Sequence, residues 1–317
     1  VRVLITGVGG FVGNHLAQHL LSSQPEAELH GTVLNHSGVS PVGVTHHALD
    51  LRNAAATKHL LQDVRPDAIY HVAAIAAVGR SFNTAWETIE NNALAQFNVL
   101  EACLTLAPRP RVLVISSGEI YGPARPEQLP ANEDTPLRPS SPYSVSKVTQ
   151  DMLGLQYFIA HALPVVRARP FNHMGPGQSE GFVAPDFAMQ IARIEAGLQA
   201  PRMYVGNLEA QRDFLDVRDV VRAYRLLMQD GVAGEVYNVA SGETHSIRDL
   251  LDTLIGYSTS PIEVCDDPHR MRPASVPVLW GDASRLKITT GWQPSIPFEQ
   301  TLLDVLNDCR QRVNTAQ

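Results

Sequence analysis

The stretch RVLITGVGGFVG at residues 2–13 constrains the fold of this chain more than any other. Arg2–Thr6 is an apolar run of strand type. Gly7, Gly10 and Gly13 follow it at even spacing, and the helical pattern Phe11–Ser22 opens within them. A strand that turns through glycines into a helix gathers free N–H groups and the positive end of a helix dipole at one point, where a phosphate is stabilised. Glycine suits that turn because it bends tightly and lets a pyrophosphate approach the backbone. The spacing is GxxGxxG; the commoner GxGxxG fingerprint needs glycine at position 12, where Val12 stands. A glycine-rich structural turn is the alternative. The strand–turn–helix setting, with further βα units behind it, favours a dinucleotide held by Gly7, Gly10, Phe11, Val12 and Gly13.

The pattern continues in kind. Strand-type runs at Leu29–Leu34, Thr45–Leu49, Ala68–Val72, Arg111–Ser116 and Val165–Arg169 alternate with helical patterns at Ala54–Val64, Trp86–Leu106 and Ser144–His161. Alternation of this sort implies βαβ units and a parallel sheet. The runs are apolar throughout, as strands covered by helices on both faces must be. The expectation is an α/β fold, a doubly wound parallel sheet of Rossmann type, with a smaller C-terminal α/β region. Residues 1–170 form the dinucleotide-binding part, with a return around 211–232; residues 171–210 and 233–317 form the second region. Residues 171–185, FNHMGPGQSEGFVAP, read as a loop. Helices are expected at Asp186–Gly197, Arg218–Met228 and Ser246–Ile255, the last capped by Ser246, and strands at Met203–Val205 and Glu235–Val239.

The second strand ends in Leu34–Asn35–His36. A carboxylate there would accept from a ribose 2′-hydroxyl and favour NAD. Its absence leans towards NADP, with NAD left open, and puts Asn35 beside the adenosine ribose. Asp50 and Leu51 end the next strand and could meet the adenine; Asp50 could equally cap the helix that follows.

Composition closes off other classes. The 317 residues carry a net charge of −7 with no basic stripe, which argues against a nucleic-acid partner. No apolar run approaches the ~20 residues that span a bilayer, and the N-terminus shows no signal-peptide pattern. Cys103, Cys265 and Cys309 are odd in number and far apart, so neither a disulfide framework nor a Cys-rich metal site is expected, and a reducing cytoplasm fits. The 12 histidines show no HExxH spacing, and no metal is expected.

Two further motifs carry chemistry. PYSVSK sets Tyr143 and Lys147 at i, i+4 on one helix face. A nearby ammonium lowers a phenol's pKa and readies it for proton transfer. SSGEIYG at 116–122 follows the run RVLVI. It is either a polar turn or an active-site edge that aims Ser117 and Glu119 at a substrate.

TGVGGFVG, HVAA at 71–74, Asn92 within NNALAQFNVLEA, ISSGEIYG and PYSVSK together resemble the extended short-chain dehydrogenase/reductase family, across essentially the whole chain. The resemblance implies that Ser117 hydrogen-bonds the reacting oxygen, Tyr143 transfers the proton, and Lys147 tunes Tyr143 and holds the nicotinamide ribose. It also implies that Ala73 and Asn92 lie beside the cofactor. RPFNHMGPGQSEGFV at 169–183, GNLEAQRDFLDVRDVVRAY at 206–224, YNVASG at 237–242 and MRPASVPVLWGD at 271–282 look like the GDP-sugar branch of the family. That branch implies reduction of the C4 ketone of a GDP-4-keto-6-deoxy-hexose with NAD(P)H, with 4,6-dehydration of GDP-mannose or 4-epimerisation as alternatives. GPGQSEGFV stands where the dehydratase pattern is arginine-rich, which lowers the dehydration reading. Asn172, Val183, Arg212 and Arg272 are the implied substrate contacts; arginine's planar fork suits a diphosphate. Arg212 could instead pair with Asp213, Asp216 or Asp219, and His173 has the weaker claim of a turn residue. Glu119 would contact the sugar without abstracting a proton. A homodimer through helices 86–106 and 144–161 is also implied.

Overall fold

The computed structural model describes residues 1–34, 41–270 and 276–315. The first half runs β1 (Arg2–Thr6), α1 (Phe11–Ser23), β2 (Glu28–Val33), β3 (Val44–Ala48), α2 (Ala54–Val64), β4 (Ala68–His71), a single turn α3 (Val78–Ser81), α4 (Ala85–Leu104), β5 (Arg111–Ile115), α5 (Pro142–His161) and β6 (Val165–Pro170). The bounds differ from the sequence expectations by a residue or two. α5 starts early because Ser141 caps it: its hydroxyl accepts the Ser144 N–H while the Ser144 hydroxyl accepts the Ser141 N–H. Pro142 fits the first helical position, where a missing N–H costs nothing.

The second half runs β7 (Asn172–Met174), α6 (Val183–Glu195), β8 (Arg202–Val205), β9 (Gln211–Arg212), β10 (Phe214–Asp216), α7 (Val217–Asp230), β11 (Val236–Val239), β12 (His245–Ser246), α8 (Ile247–Gly256), β13 (Glu263–Asp266), β14 (Val278–Leu279), α9 (Ser284–Thr290) and α10 (Phe298–Thr315). The main sheet has seven strands in the order β11-β6-β5-β4-β1-β2-β3, all parallel. Alternate residues of β1 serve opposite faces. Val3 and Ile5 pack with Leu16 and Leu20 of α1 and Tyr224 of α7, while Leu4 packs with Leu61 of α2 and Leu100 of α4. Strand order reverses between β1 and β4, which opens a crevice at their carboxyl ends, where ligands bind in this architecture.

Two expectations need correction. Residues 233–239 do not join the smaller region: β11 is the seventh strand of the main sheet, paired with β6, and all four of its residues are buried. Leu286 and Trp292 beyond it pack in the same core as α1 and α7, so the return to the large sheet is longer than the sequence suggested. Residues 171–185 are not all loop, since β7 pairs in parallel with β10. A three-residue strand is too short to show periodicity. The smaller region builds its own core from α6, α8 and α10, with Phe187, Leu250 and Leu306 at its centre.

Candidate active site

The glycine turn is shaped by close approach. Gly7 has φ +71°, and a Cβ there would lie 2.9 Å from the Ala73 Cα; a Cβ on Gly13 would lie 2.3 Å from the Gly7 carbonyl oxygen. The Thr6 hydroxyl accepts the Val72 and Ala73 N–H groups at 3.0 and 3.1 Å, tying the ends of β1 and β4 together. No side chain caps α1 at Gly10, so its first-turn N–H groups remain for a ligand. A side-chain-free turn at a bare helix N-terminus fits a pyrophosphate.

A cleft of about 1340 Å³ opens from this turn, and Gly7, Gly10, Phe11, Val12 and Gly13 line it with Asp50, Leu51 and Ala73. Its walls continue past Ser117, Glu119, Tyr143 and Lys147 to Asn172, Val183 and Arg212. Asn35 and Arg272 lie outside the described residues.

Asn92 lies behind the residues that line the cleft. It is fully buried; its Oδ1 accepts the Ile75 N–H at 2.8 Å, and its Nδ2 donates to the Ile75 carbonyl and the Ser146 hydroxyl. It therefore clamps the loop after β4 onto α5. Asp50 is not a helix cap. Asn53 caps α2, accepting the Ala56 N–H at 3.1 Å, and the Asp50 carboxylate chelates Arg52. The three acids near Arg212 are bonded elsewhere: Asp213 to the N–H groups of Ser241 and Gly242, Asp216 to Arg218, and Asp219 to Arg222. The Arg212 guanidinium donates to the Gln211 carbonyl at 2.8 Å. His173 lines the cleft after all, its ring parallel to Phe11 with centroids 6.3 Å apart.

Ser117 lies just past β5, with its hydroxyl accepting the Glu119 N–H at 3.2 Å, and it lines the cleft together with Tyr143. Burial pushes Tyr143 up to about 12; the nearby Ser117 hydroxyl works against that rise and the Glu119 charge adds to it. A lysine-lowered phenol was the expectation. Lys147 instead turns towards the sheet, its Nζ donating to the Ile115 carbonyl at 2.9 Å and to the Gln150 Oε1 at 2.8 Å, 5.9 Å from the Tyr143 ring centroid. Burial pulls the Lys147 ammonium down to about 7. The i, i+4 spacing brings the two side chains together, but enclosure decides both proton affinities.

Sequence reasoning passed over Arg80, Asn207 and Arg270, which also line the cleft, and Gln150, which holds Lys147. Arg80 had a signal, since it follows the carboxyl end of β4. The others lie on segments whose route to the cleft no local pattern shows.

The family described as GDP-mannose 4,6 dehydratase matches residues 4–305. A GDP-6-deoxy-D-mannose reductase from Pseudomonas aeruginosa is 38% identical over 312 residues, covering 98% of each chain. GDP-mannose 4,6 dehydratase 2 from Arabidopsis thaliana is 31% identical, covering 94% of this chain and 83% of its own. Among solved structures, RMD from Pseudomonas aeruginosa complexed with NADPH superposes with a TM-score of 0.86 at 38% identity, covering 98% of this chain and 99% of that one.

Proposed function

The chain belongs to the GDP-mannose 4,6 dehydratase family of extended short-chain dehydrogenase/reductases, and we propose that it acts there as a reductase, turning the C4 ketone of GDP-4-keto-6-deoxy-D-mannose into the hydroxyl of GDP-D-rhamnose. The observation that carries this reading is a cleft lined by Ser117, Tyr143 and Lys147 in a chain 38% identical, over 98% of its length, to a GDP-6-deoxy-D-mannose reductase. A phenol pushed up to about 12 keeps its proton at neutral pH, the state that reduction requires.

Gly7, Gly10 and Gly13 would hold the pyrophosphate of a reduced dinucleotide, which would supply the hydride. Ser117 donates a hydrogen bond to the ketone oxygen, and Tyr143 gives that oxygen its proton as the C4–H bond forms, so the carbonyl gains hydride and proton together. Lys147, while charged, stabilises the phenolate that Tyr143 becomes. Leu34, the last described residue after β2, lines the cleft and carries no charge to repel a 2′-phosphate, which supports NADPH, with NADH as the alternative. Asn172, Val183 and Arg212 also line the cleft, which supports their reading as contacts of the GDP sugar.

Dehydration is the second reading, favoured by the position of Glu119 in the cleft, where it would serve as the C5 base. Given the 4-keto sugar, the protein is expected to oxidise NADPH; given GDP-mannose without reduced cofactor, it should form no 4-keto product. Glu119→Gln should lower reduction by less than about tenfold, because losing a general acid or base costs about 10²–10⁴ and a sugar contact costs less. A 4-keto product from GDP-mannose that disappears with Glu119→Gln would replace the reductase reading with the dehydratase one.

A homodimer is the assembly we favour. α4 and α5 pack side by side, and Trp86, Phe97, Val145, Met152 and Ile159 stand exposed on them, the last three at heptad spacing. Sedimentation should give a dimer that Ile159→Glu splits; a monomeric wild type would rule it out. No helix among the described residues is long and apolar enough to cross a membrane. The free cysteines Cys103, Cys265 and Cys309 support a reducing, cytoplasmic setting.

A further inference from the structure

We propose that Gln150 is a positioning residue for Lys147: its amide oxygen holds the ammonium at the floor of the cleft and supports its charge there. The kinetic part of this proposal rests on the reductase reading; the geometric part does not.

Lys147 is 4% exposed, and a buried ammonium needs hydrogen-bond acceptors to stay charged. One acceptor is the Ile115 carbonyl, fixed by β5; the other is the Gln150 side chain, 2.8 Å away and one helical turn on. An ammonium only donates, so the Gln150 oxygen must face it and the Gln150 Nε2 must point the other way. There it meets the His71 Nε2 at 3.5 Å. The His71 Nδ1 lies 3.0 Å from the Thr6 hydroxyl, the same hydroxyl that ties Ala73 to the glycine turn. Gln150 is itself held in place: it is 1% exposed and its carbonyl accepts the Gln96 Nε2 at 2.6 Å. A row of buried polar contacts thus runs from the lysine to the nucleotide turn.

The groups that titrate around Lys147 are Tyr143 on its own helix, His71 from β4 and His173 from β7. Burial takes His71 down to about 3, so it stays neutral and adds no charge beside Lys147. Tyr143 is neutral for the reason given above, and burial lowers His173. Two uncharged oxygens therefore carry the support of the Lys147 charge, and Gln150 brings the one that a substitution can remove.

The test uses the full chain labelled with ¹³C at lysine Cε. Lys58, Lys147 and Lys287 are its three lysines, so Lys147 can be followed alone. Gln150→Leu should lower the Lys147 titration midpoint and Gln150→Glu should raise it. The alkaline limb of kcat for NADPH oxidation with the 4-keto sugar should move in the same two directions. For each unit by which the midpoint falls, turnover on that limb drops about tenfold. A role in packing alone would not give opposite shifts. Midpoints that stay at the wild-type value, or move the same way in both variants, overturn the proposal. If Gln150→Leu fails to fold, Gln150→Glu decides alone, and an unchanged midpoint there is a refutation. If the wild type does not reduce the 4-keto sugar, the functional reading fails and the lysine titration still decides the role of Gln150.

Discussion

Tyr143→Phe is expected to lower kcat for ketone reduction by about 10²–10⁴ while leaving NADPH and GDP-sugar affinity unchanged, the range associated with removing a general acid. The variant deletes one oxygen from a side chain that is 9% exposed and keeps the ring that packs there. It removes the proton that the C4 oxygen needs. Titration calorimetry with NADPH and with the sugar nucleotide separates a lost proton donor from a lost site. Unchanged turnover would mean that the proton comes from another group and would refute the role given to Tyr143. The pH profile has a set sign. With Tyr143 held near 12 and Lys147 near 7, loss of turnover as pH rises past neutrality belongs to the lysine losing its charge and not to the phenol.

Asp151→Ala is expected to cost about 3–5 kcal/mol of stability, the range found when one partner of a buried ion pair is removed. Asp151 lies two turns beyond Tyr143 on α5 and its side chain is fully buried. It bonds Arg167 at 2.6 Å and Arg169 at 2.8 Å, both from β6 and both nearly inaccessible. Arg169 reaches on to the Tyr121 hydroxyl and the Glu133 carbonyl, and Tyr121 donates to Asn238 of β11. Removing the carboxylate leaves two guanidinium groups in the core with only neutral acceptors. Urea denaturation followed by circular dichroism reads the effect, and a loss under about 1 kcal/mol would show that water or neighbouring carbonyls replace the carboxylate. The same network seats the helix that carries Tyr143 and Lys147, so turnover should fall with stability.

The main sheet was legible because its evidence is local. Uninterrupted apolar runs such as Val112–Ile115 signal strands buried on both faces, and a turn through Gly7, Gly10 and Gly13 signals where the first one ends. Much of the site was legible for the same reason, since Tyr143 and Lys147 share a helix face and Ser117 ends a strand. Partners that meet across the fold were not legible. Nothing near Asn92 in the sequence shows that its side chain meets Ile75 and Ser146. Asp50 was weighed as a cap, a place that Asn53 takes. β11 was assigned to the smaller region because nothing within four residues says which sheet they will join.

The chain alone thus determined which residue types stand at which strand ends and helix turns, because propensity, glycine geometry and i, i+4 spacing act over a few residues. Only the tertiary structure decided their states. Proton affinity depends on burial and on donors brought from distant segments, so the enclosure that raises Tyr143, lowers Lys147 and sets Gln150 and His71 behind it exists only once β4, β5 and α5 have packed together.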